Sequence, residues 1–134
     1  MEFRFKEVGI TLTTSYPNWH RGKLKSIKNT DKIRGDLALE FAKKAQRLGY
    51  HIVVADYKSP KTFRREMNAI SGTILLRRRS SKRSLGKRLA IKKISNLLEV
   101  KVIVLTEPEK VSLIDSLPKI VNPILRGDAD IVVP

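Results

Sequence analysis

The chain has 134 residues, of which 41% are hydrophobic and 31% are charged, and its formal net charge is +15. This length is typical of one domain and suffices to bury one hydrophobic core. The chain contains no cysteine, which excludes a disulfide scaffold, a cysteine-ligated zinc site and a thiol nucleophile. No apolar stretch approaches the length of about 18 residues that a membrane-spanning helix needs, and the N-terminal residues do not resemble a signal peptide. We therefore expect one soluble, cytoplasmic domain over residues 1–134.

The positive charge is concentrated in the middle of the chain. Residues 58–93 carry 13 basic side chains and 1 acidic one, whereas residues 94–134 carry 4 basic and 6 acidic ones. Such an excess predicts an anionic partner, which is a nucleic acid, a phosphorylated small molecule or an acidic membrane surface. A lysine-rich solvated surface of the thermophile type accounts for the same excess without any partner.

The first part of the chain alternates between two hydrophobic periods. The β-rich run 8–13 predicts a first strand, and a loop follows it. A helix is predicted from Asp31, as its N-cap, to Gly49, which fits a helix stop. Between these two residues, apolar side chains recur at helical spacing: Ile33, Leu37, Phe41, Ala45 and Leu48. The continuous apolar run 52–55 then predicts a second strand that is covered on both faces.

The alternation continues through the basic middle of the chain. Ser59 and Pro60 predict the N-cap and first turn of a short helix, whose apolar stripe is Phe63, Met67 and Ile70. A third strand is predicted at 73–76. The next helix is predicted from about Leu85 to Leu98, with an inner face made of Ala90, Ile94, Leu97 and Leu98.

The last part of the chain adds a strand, a helix and a further strand. The fourth strand is predicted at 100–105, and Ser116 and Pro118 predict the N-cap and first turn of a fourth helix. Pro123 is expected to kink this helix, and Gly127 is expected to end it. The apolar residues 131–133 predict the beginning of a fifth strand.

Strands that alternate with helices in this way predict an α/β fold, a Rossmann-like three-layer sandwich with a mainly parallel sheet. Ligands of such sheets bind outside the carboxyl ends of the strands, near the point where the strand order reverses. We therefore expect functional residues in the loops that follow the strands: 14–30, 56–61, 77–84 and 106–112.

Several catalytic signatures are missing. The chain has no G-x-x-x-x-G-K-[ST] run and no G-x-G-x-x-G after its first strand, which argues against a P-loop and against dinucleotide binding. Its only histidines are His20 and His51. His51 starts a predicted strand, and His20 lies in a long basic loop without a serine or carboxylate at a recognisable spacing. A serine hydrolase is therefore not supported, and we expect both histidines to be surface or strand-edge residues.

Polar residues stand at the expected ligand edge. Asp56 follows the second strand, where a carboxylate accepts hydrogen bonds from a base or a ribose, although a turn aspartate has the same sequence context. Lys87 lies at the start of the third helix, where free backbone N–H groups favour phosphate, although a solvated basic helix face is the alternative. Glu107 and Glu109 follow the fourth strand and are candidate ligands for Mg²⁺ or Mn²⁺. Asp128-x-Asp130 precedes its strand and is interpreted as a surface turn.

Four segments together resemble a known family. They are Thr13-Thr14-Ser15-Tyr16-Pro17, Val54-Ala55-Asp56-Tyr57-Lys58-Ser59, Gly86-Lys87-x-x-Ala90, and Gly127-Asp128-Ala129-Asp130-Ile131-Val132-Val133. In order and spacing they resemble the nucleotide-sugar-dependent glycosyltransferases of the GT-A fold, in the nucleotide-binding N-terminal half. The second segment resembles the family's V-D-D-G-S stretch, and the third its G-K-x-x-A helix start.

The resemblance implies a hexosyltransferase-like activity with a nucleotide-diphosphate sugar as donor. It implies that the nucleoside is held by Thr14, Tyr16, Asp56 and Lys58, that the diphosphate is neutralised by Arg83 and Lys87, and that a divalent cation, Mg²⁺ or Mn²⁺, is held by Glu107 and Glu109. The chain departs from the family at 106–108, where the metal-binding D-x-D belongs and no aspartate stands. It also ends in the predicted fifth strand, so the resemblance covers either a fragment or a reduced domain.

A different class of function is nucleic-acid binding. Residues 77–93 carry nine basic side chains and no acidic one, which predicts salt-dependent contacts with backbone phosphates. The segment contains no aromatic residue on which bases could stack. A peripheral contact with an anionic membrane is a third alternative, to which this segment contributes charge without apolar anchors.

Overall fold

The computed structural model describes residues 3–133 of the chain. A 3-10 turn, Phe5–Glu7, precedes four strands and four helices that alternate along the sequence. The strands are β1 (Val8–Thr14), β2 (His51–Asp56), β3 (Thr73–Arg77) and β4 (Val102–Leu105). The helices are α1 (Thr30–Leu48), α2 (Lys61–Asn68), α3 (Arg83–Ser95) and α4 (Leu113–Leu125). None of these helices is long and apolar enough to cross a bilayer.

The four strands form one parallel sheet in the order β3-β2-β1-β4. The chain moves outward from β1 to β2 and β3, and it then returns across the sheet to place β4 on the other side of β1. The strand order therefore reverses between β1 and β4, and this is where a parallel sheet opens a crevice for a ligand. The predicted α/β class with a parallel sheet is confirmed.

The sheet separates two layers of helices. Helices α1, α2 and α4 share the larger core with alternate strand residues such as Ile10, Leu12 and Ile52. Helix α3 covers the opposite face alone, against Val53 and Ala55 of β2. Because successive residues of a strand point to opposite faces, β2 is apolar at every core position, as the sequence predicted.

A polar N-cap fixes the start of helix α1, and a glycine fixes its end. Asn29, not Asp31, is the N-cap: its side-chain oxygen accepts the N–H of Lys32 at 3.0 Å. The Asp31 carboxylate instead accepts the backbone N–H of Asn18 at 2.8 Å, so the predicted cap holds the preceding loop. Gly49 ends the helix in the left-handed conformation, with φ of 99°, as predicted.

The other three helices also differ from their predicted bounds. Pro60, not Ser59, is the N-cap of α2. Helix α3 spans Arg83–Ser95, and Leu98 is fully exposed beyond it instead of lining its inner face. Helix α4 begins at Leu113, so that Pro118 and Pro123 both lie inside it. An interior proline costs about 3 kcal/mol, and the burial of Ile114, Leu117 and Val121 is what holds the helix together across both prolines.

The predicted fifth strand is wrong for the described residues 131–133, which form no strand. They border an apolar groove of about 470 Å³ between β4 and α4. Helix α4 lies on the same face as α1, whereas a strand beyond β4 would extend the sheet in the opposite direction. A parallel strand there would require a left-handed crossover, which parallel sheets avoid.

Gly9 of β1 leaves the space that α3 needs to pack against the sheet. A Cβ at this position would lie 2.4 Å from Ile94 Cδ1 and 2.6 Å from Ile94 Cγ1. We expect Gly9→Ala to lower the free energy of unfolding by about 1–3 kcal/mol, because a packed core absorbs an added methyl poorly. Urea denaturation of the variant and the wild type measures this difference.

The matched control is the double-mutant cycle with Ile94→Ala, which removes both colliding atoms. The cost of Gly9→Ala should be smaller in that background, with a coupling of about 0.5–3 kcal/mol. A cost that is identical in both backgrounds would show that the contact with Ile94 does not limit position 9.

Candidate functional site

Two cavities open at the carboxyl edge of the sheet, where the loops that follow the four strands meet. The first, here called the cleft, has a volume of about 580 Å³ and lies at the ends of β2 and β3. Its lining residues are Asp56, Tyr57, Lys58, Ser59, Arg64, Arg77, Arg78 and Arg79. The second, here called the crevice, has a volume of about 120 Å³ and lies between the ends of β1 and β4. Its lining residues are Thr13, Ser15, Tyr16, Arg34, Arg78, Arg83, Glu107, Pro108 and Glu109.

Asp56 is a buried carboxylate at the end of β2, with 2% of its surface exposed. Its Oδ1 accepts hydrogen bonds from the hydroxyls of Thr14, at 2.6 Å, and of Ser59, at 2.5 Å. Its Oδ2 accepts the backbone N–H of Ser59 at 3.2 Å. Thr14 and Asp56, two predicted nucleoside-binding residues, are thus brought together, and they bind each other. Because a carboxylate has about four acceptor positions, one of them is left on Asp56 for another donor.

Tyr16 lies under the crevice and carries an unpartnered hydroxyl. Its ring is 1% exposed and packs edge-on against Phe63, with 5.5 Å between the ring centroids. The hydroxyl is buried and has no hydrogen-bond partner among the described residues. Burial, reinforced by the nearby Glu109 carboxylate, raises the pKa of this hydroxyl. Since a buried polar group without a partner is uncommon, the protonated hydroxyl is a candidate donor to a ligand in the crevice.

Three guanidinium groups from separate parts of the chain border the crevice. Arg34 extends from the first turns of α1, and the Glu109 carboxylate accepts its Nε–H. Arg83 is the first residue of α3. Arg78 follows β3 and separates the crevice from the cleft. Their convergence makes the crevice a cationic site at the reversal point of the sheet.

Arg78 is the most constrained of the three. Its Nη2 donates to the Thr14 carbonyl at 3.1 Å, and its Nε is buried without a partner among the described residues. Burial lowers its pKa, and the Asp56 carboxylate opposes this shift without pairing with it directly. Gly86 in the first turns of α3 makes room for this side chain, since a Cβ there would lie 2.9 Å from Arg78 Cδ. A bound anion would satisfy the free donor.

Lys58 and Tyr57 form the outer wall of the cleft. Lys58 adopts the left-handed conformation, with φ of 56°, which a non-glycine residue adopts at a cost and most often at functional sites. Its Nζ lies 5.3 Å from the centre of the Tyr57 ring, and the Arg78 guanidinium lies 5.7 Å from it. Two cations, Lys58 and Arg78, therefore lie against the Tyr57 ring.

The predicted phosphate-binding pair is divided by the structure. Arg83 borders the crevice, whereas Lys87, one turn further along α3, is exposed and lines neither cavity. Reasoning from the sequence missed Arg34, because it lies inside a helix and outside every loop considered. Its position near the N-terminus of α1, which follows β1, was the available signal.

Glu107 and Glu109 both line the crevice, but their surroundings are cationic. The described residues contain no group of three or more His, Cys, Asp or Glu side chains placed to hold a metal ion. Glu109 is already bound to Arg34, so Glu107 is the one of the pair left for a cation. These residues fit a phosphate-binding crevice better than a resident metal site, and the divalent cation stays a prediction.

The remaining polar candidates lie away from both cavities. His51 stands at the amino end of β2, with its Nε2 3.9 Å from the Glu99 carboxylate. His20 is in the loop after β1 and contacts the Arg21 carbonyl. Asp128 and Asp130 are exposed after α4, in the region interpreted as a surface turn, and Asp128 pairs with Arg126 at 3.1 Å.

No family model, curated protein or solved structure matches this chain. A function for the chain is therefore inferred from the chemistry of the site itself.

We expect Asp56→Ala to destabilise the fold by about 1.5–3 kcal/mol, which is the range for hydrogen bonds to a charged group. The substitution leaves the buried hydroxyls of Thr14 and Ser59 without their acceptor. Asp56→Asn keeps one oxygen acceptor and should cost less than Asp56→Ala. Urea denaturation of the three proteins tests the order, and an unchanged midpoint for Asp56→Ala would contradict the role assigned to this carboxylate.

Alkaline pH should destabilise the protein through its buried tyrosines. Burial raises the pKa of Tyr50 from 10.0 to about 12, and the pKa of Tyr16 rises in the same direction. The unfolded chain then releases its tyrosine protons first, so the folded state loses stability as the pH rises above about 10, by up to about 1.4 kcal/mol per pH unit for each group.

The variant Tyr50→Phe isolates the contribution of this one hydroxyl from every other contribution to stability. The unfolding free energy of the wild type minus that of the variant should be constant below pH 10 and should fall between pH 10 and 12. A difference that is independent of pH over that window would contradict the raised pKa.

Proposed function

We propose that the chain is a nucleotide-binding domain that holds a nucleoside diphosphate, and its sugar conjugate, at the carboxyl edge of the sheet. The observation that carries this proposal is the convergence of Arg34, Arg78 and Arg83 on one crevice at the reversal point of the strand order. Tyr16, whose hydroxyl is buried and has no partner among the described residues, lines the same crevice. A diphosphate supplies oxygen acceptors to Arg78, Arg83 and Tyr16, whereas Arg34 already pairs with Glu109.

The crevice is suited to the diphosphate by the type of its cations. Guanidinium groups bind phosphate oxygens in pairs and hold them in fixed directions. Arg83 also stands at the first residue of a 13-residue helix, where the unpaired backbone N–H groups and the helix dipole favour an anion. The unpaired Nε–H of Arg78 would form a charge-assisted hydrogen bond with the diphosphate.

The cleft is suited to the nucleoside by its size and its aromatic wall. Its volume of about 580 Å³ lies within the range of small-molecule sites, about 300–1,000 Å³. Tyr57 adds an aromatic side chain to the lining, and the remaining acceptor position of Asp56 could receive a donor from the base or the ribose. Arg78 borders both cavities, so one ligand could place its base in the cleft and its diphosphate in the crevice.

Transfer of a sugar from such a donor uses the same cations. The oxygen of an acceptor hydroxyl bonds to the anomeric carbon and its proton passes to solvent. The bond from that carbon to the diphosphate oxygen breaks, and the nucleoside diphosphate leaves with the electron pair. Arg34, Arg78 and Arg83 are placed to stabilise the charge that develops on the leaving group, which is how oriented donors lower such barriers. Glycosyltransferase activity extends the binding proposal, and the resemblance to GT-A enzymes favours this extension.

Nucleic-acid binding is the second candidate, and one surface favours it. The outward positions of α3 carry Lys87, Arg88, Lys92 and Lys93, all of them exposed. A flat basic helix face would contact backbone phosphates without reading a sequence. The two functions use different residues, so they can be separated by substitution.

We expect Arg83→Gln to weaken binding of a nucleoside diphosphate about 10- to 100-fold, since a hydrogen bond to a charged group contributes about 1.5–3 kcal/mol. The matched control, Arg88→Gln, removes the same charge from the outer face of the same helix and should change the affinity less than threefold or so, an effect of long-range electrostatics alone. Isothermal titration with UDP, GDP and their sugar conjugates at fixed salt measures both.

Two outcomes would contradict nucleotide binding. One is equal loss in the two variants, which would mean that only net charge matters. The other is a response to an RNA or DNA oligonucleotide alone, removed by added salt and by Arg88→Gln.

Repeating the titration with Mn²⁺, and with Glu107→Gln, tests the predicted cation: an affinity gain on adding Mn²⁺ that Glu107→Gln abolishes supports it.

A further inference from the structure

The loop after β1 contains an exposed segment that the nucleotide site does not use. This segment, residues 20–28 and here called the basic loop, has four lysine or arginine side chains and no acidic one. Residues 21–28 are all exposed, and none belongs to a helix or a strand. The basic loop is therefore a surface whose residues make few contacts with the rest of the domain.

The base of this loop is fixed on both sides. Trp19, just before it, is 4% exposed, and its indole N–H donates to Asp36 at 2.9 Å. Asn29, just after it, donates from its side-chain amide to the carbonyl of Asn18 at 2.9 Å. The two ends of the basic loop are thus held together, and the residues between them project from a defined place on the domain.

Two aliphatic side chains are exposed within the basic loop. Leu24 is 42% exposed and Ile27 is 83% exposed, and the sequence around them, Lys23-Leu24-Lys25-Ser26-Ile27-Lys28, alternates cations with apolar residues. A single exposed aliphatic residue is ordinary, but two within four positions, each flanked by lysine, form an amphipathic surface. A surface of this kind matches a partner that is anionic outside and apolar just beneath.

We propose that the basic loop docks onto an anionic phospholipid bilayer. Leu24 and Ile27 enter the boundary between headgroups and acyl chains, while the neighbouring lysines contact lipid phosphates. Anionic headgroups attract each nearby cation, and apolar side chains add the second, weaker attachment that stable peripheral binding needs. The docking does not depend on nucleotide binding, because its residues lie outside the cleft and the crevice.

A nucleic acid fits the basic loop less well than a bilayer does. Proteins that hold single strands stack bases on aromatic side chains, and Trp19, the aromatic residue nearest this loop, is buried beneath it. Exposed leucine and isoleucine gain nothing from a phosphate backbone. The apolar pair is therefore the feature that separates the two partners experimentally.

Co-sedimentation of the full chain with phosphatidylcholine vesicles, with or without about 30% phosphatidylserine, tests the docking. We expect binding to the anionic vesicles only. Lys23→Gln/Lys25→Gln should weaken it by about tenfold or more, since each cation near the surface contributes roughly fivefold. Leu24→Ser/Ile27→Ser should weaken it severalfold with the charge unchanged.

Matched controls come from elsewhere in the chain. Lys92→Gln/Lys93→Gln removes the same charge from α3, and Leu98→Ser removes a fully exposed leucine before β4. Both should retain nearly wild-type vesicle binding. Equal weakening by the control and loop lysine pairs, or no effect of Leu24→Ser/Ile27→Ser, would overturn the proposal.

A fluorescent label gives an independent measurement, because the chain has no native cysteine. Ser26→Cys, carrying an environment-sensitive fluorophore, should shift to the blue with anionic vesicles, whereas the same label at Asn96→Cys should not. A shift with an RNA oligonucleotide and none with vesicles would assign the basic loop to nucleic acid and overturn the proposal. Circular dichroism of each variant confirms that it is folded.

Discussion

The arrangement of the ligand edge depends on one buried carboxylate. Asp56 would be costly to bury without partners, and it finds them only when β1, β2 and the loop after β2 are all in place: Thr14 and Ser59 donate to it, and the Ser59 hydroxyl accepts the N–H of Tyr16 at 2.9 Å. Through these bonds the start of the loop after β1 is tied to the end of β2. The positions of the crevice and of the basic loop both follow from this connection.

The same carboxylate explains why the edge remains cationic. Hydroxyl and amide donors fill three of the acceptor positions of Asp56, and no arginine pairs with it directly. Arg78 meets carbonyl oxygens instead, and Arg83 forms no ion pair among the described residues. Arg34, which pairs with Glu109, is the exception at this edge. A site with donors in excess of acceptors is prepared for an anionic ligand, and the net charge of +15 extends the attraction beyond the site.

The sequence predicted the layers of the fold better than the residues at which its helices begin and end. A continuous apolar run such as 52–55 is typical of a strand that is buried on both faces, and its alternation with helical segments favours a parallel sheet. The cap at Asn29 was missed because Asp31 is an equally good cap by type, and the contact with Asn18 that occupies it is tertiary. Arg34 was missed for the same reason: helical position alone does not tell which cavity a long side chain reaches.

The two proposed partners, a nucleoside diphosphate and an anionic bilayer, do not compete for the same cations. The crevice is lined by Arg34, Arg78 and Arg83, whereas the bilayer would meet lysines of the basic loop, which line neither cavity. Both groups lie on loops or helix starts that follow carboxyl ends of the parallel strands. A domain docked through the basic loop would therefore turn this edge toward the membrane, and a sugar held at the crevice would be presented near the bilayer surface, where an amphipathic acceptor would be concentrated.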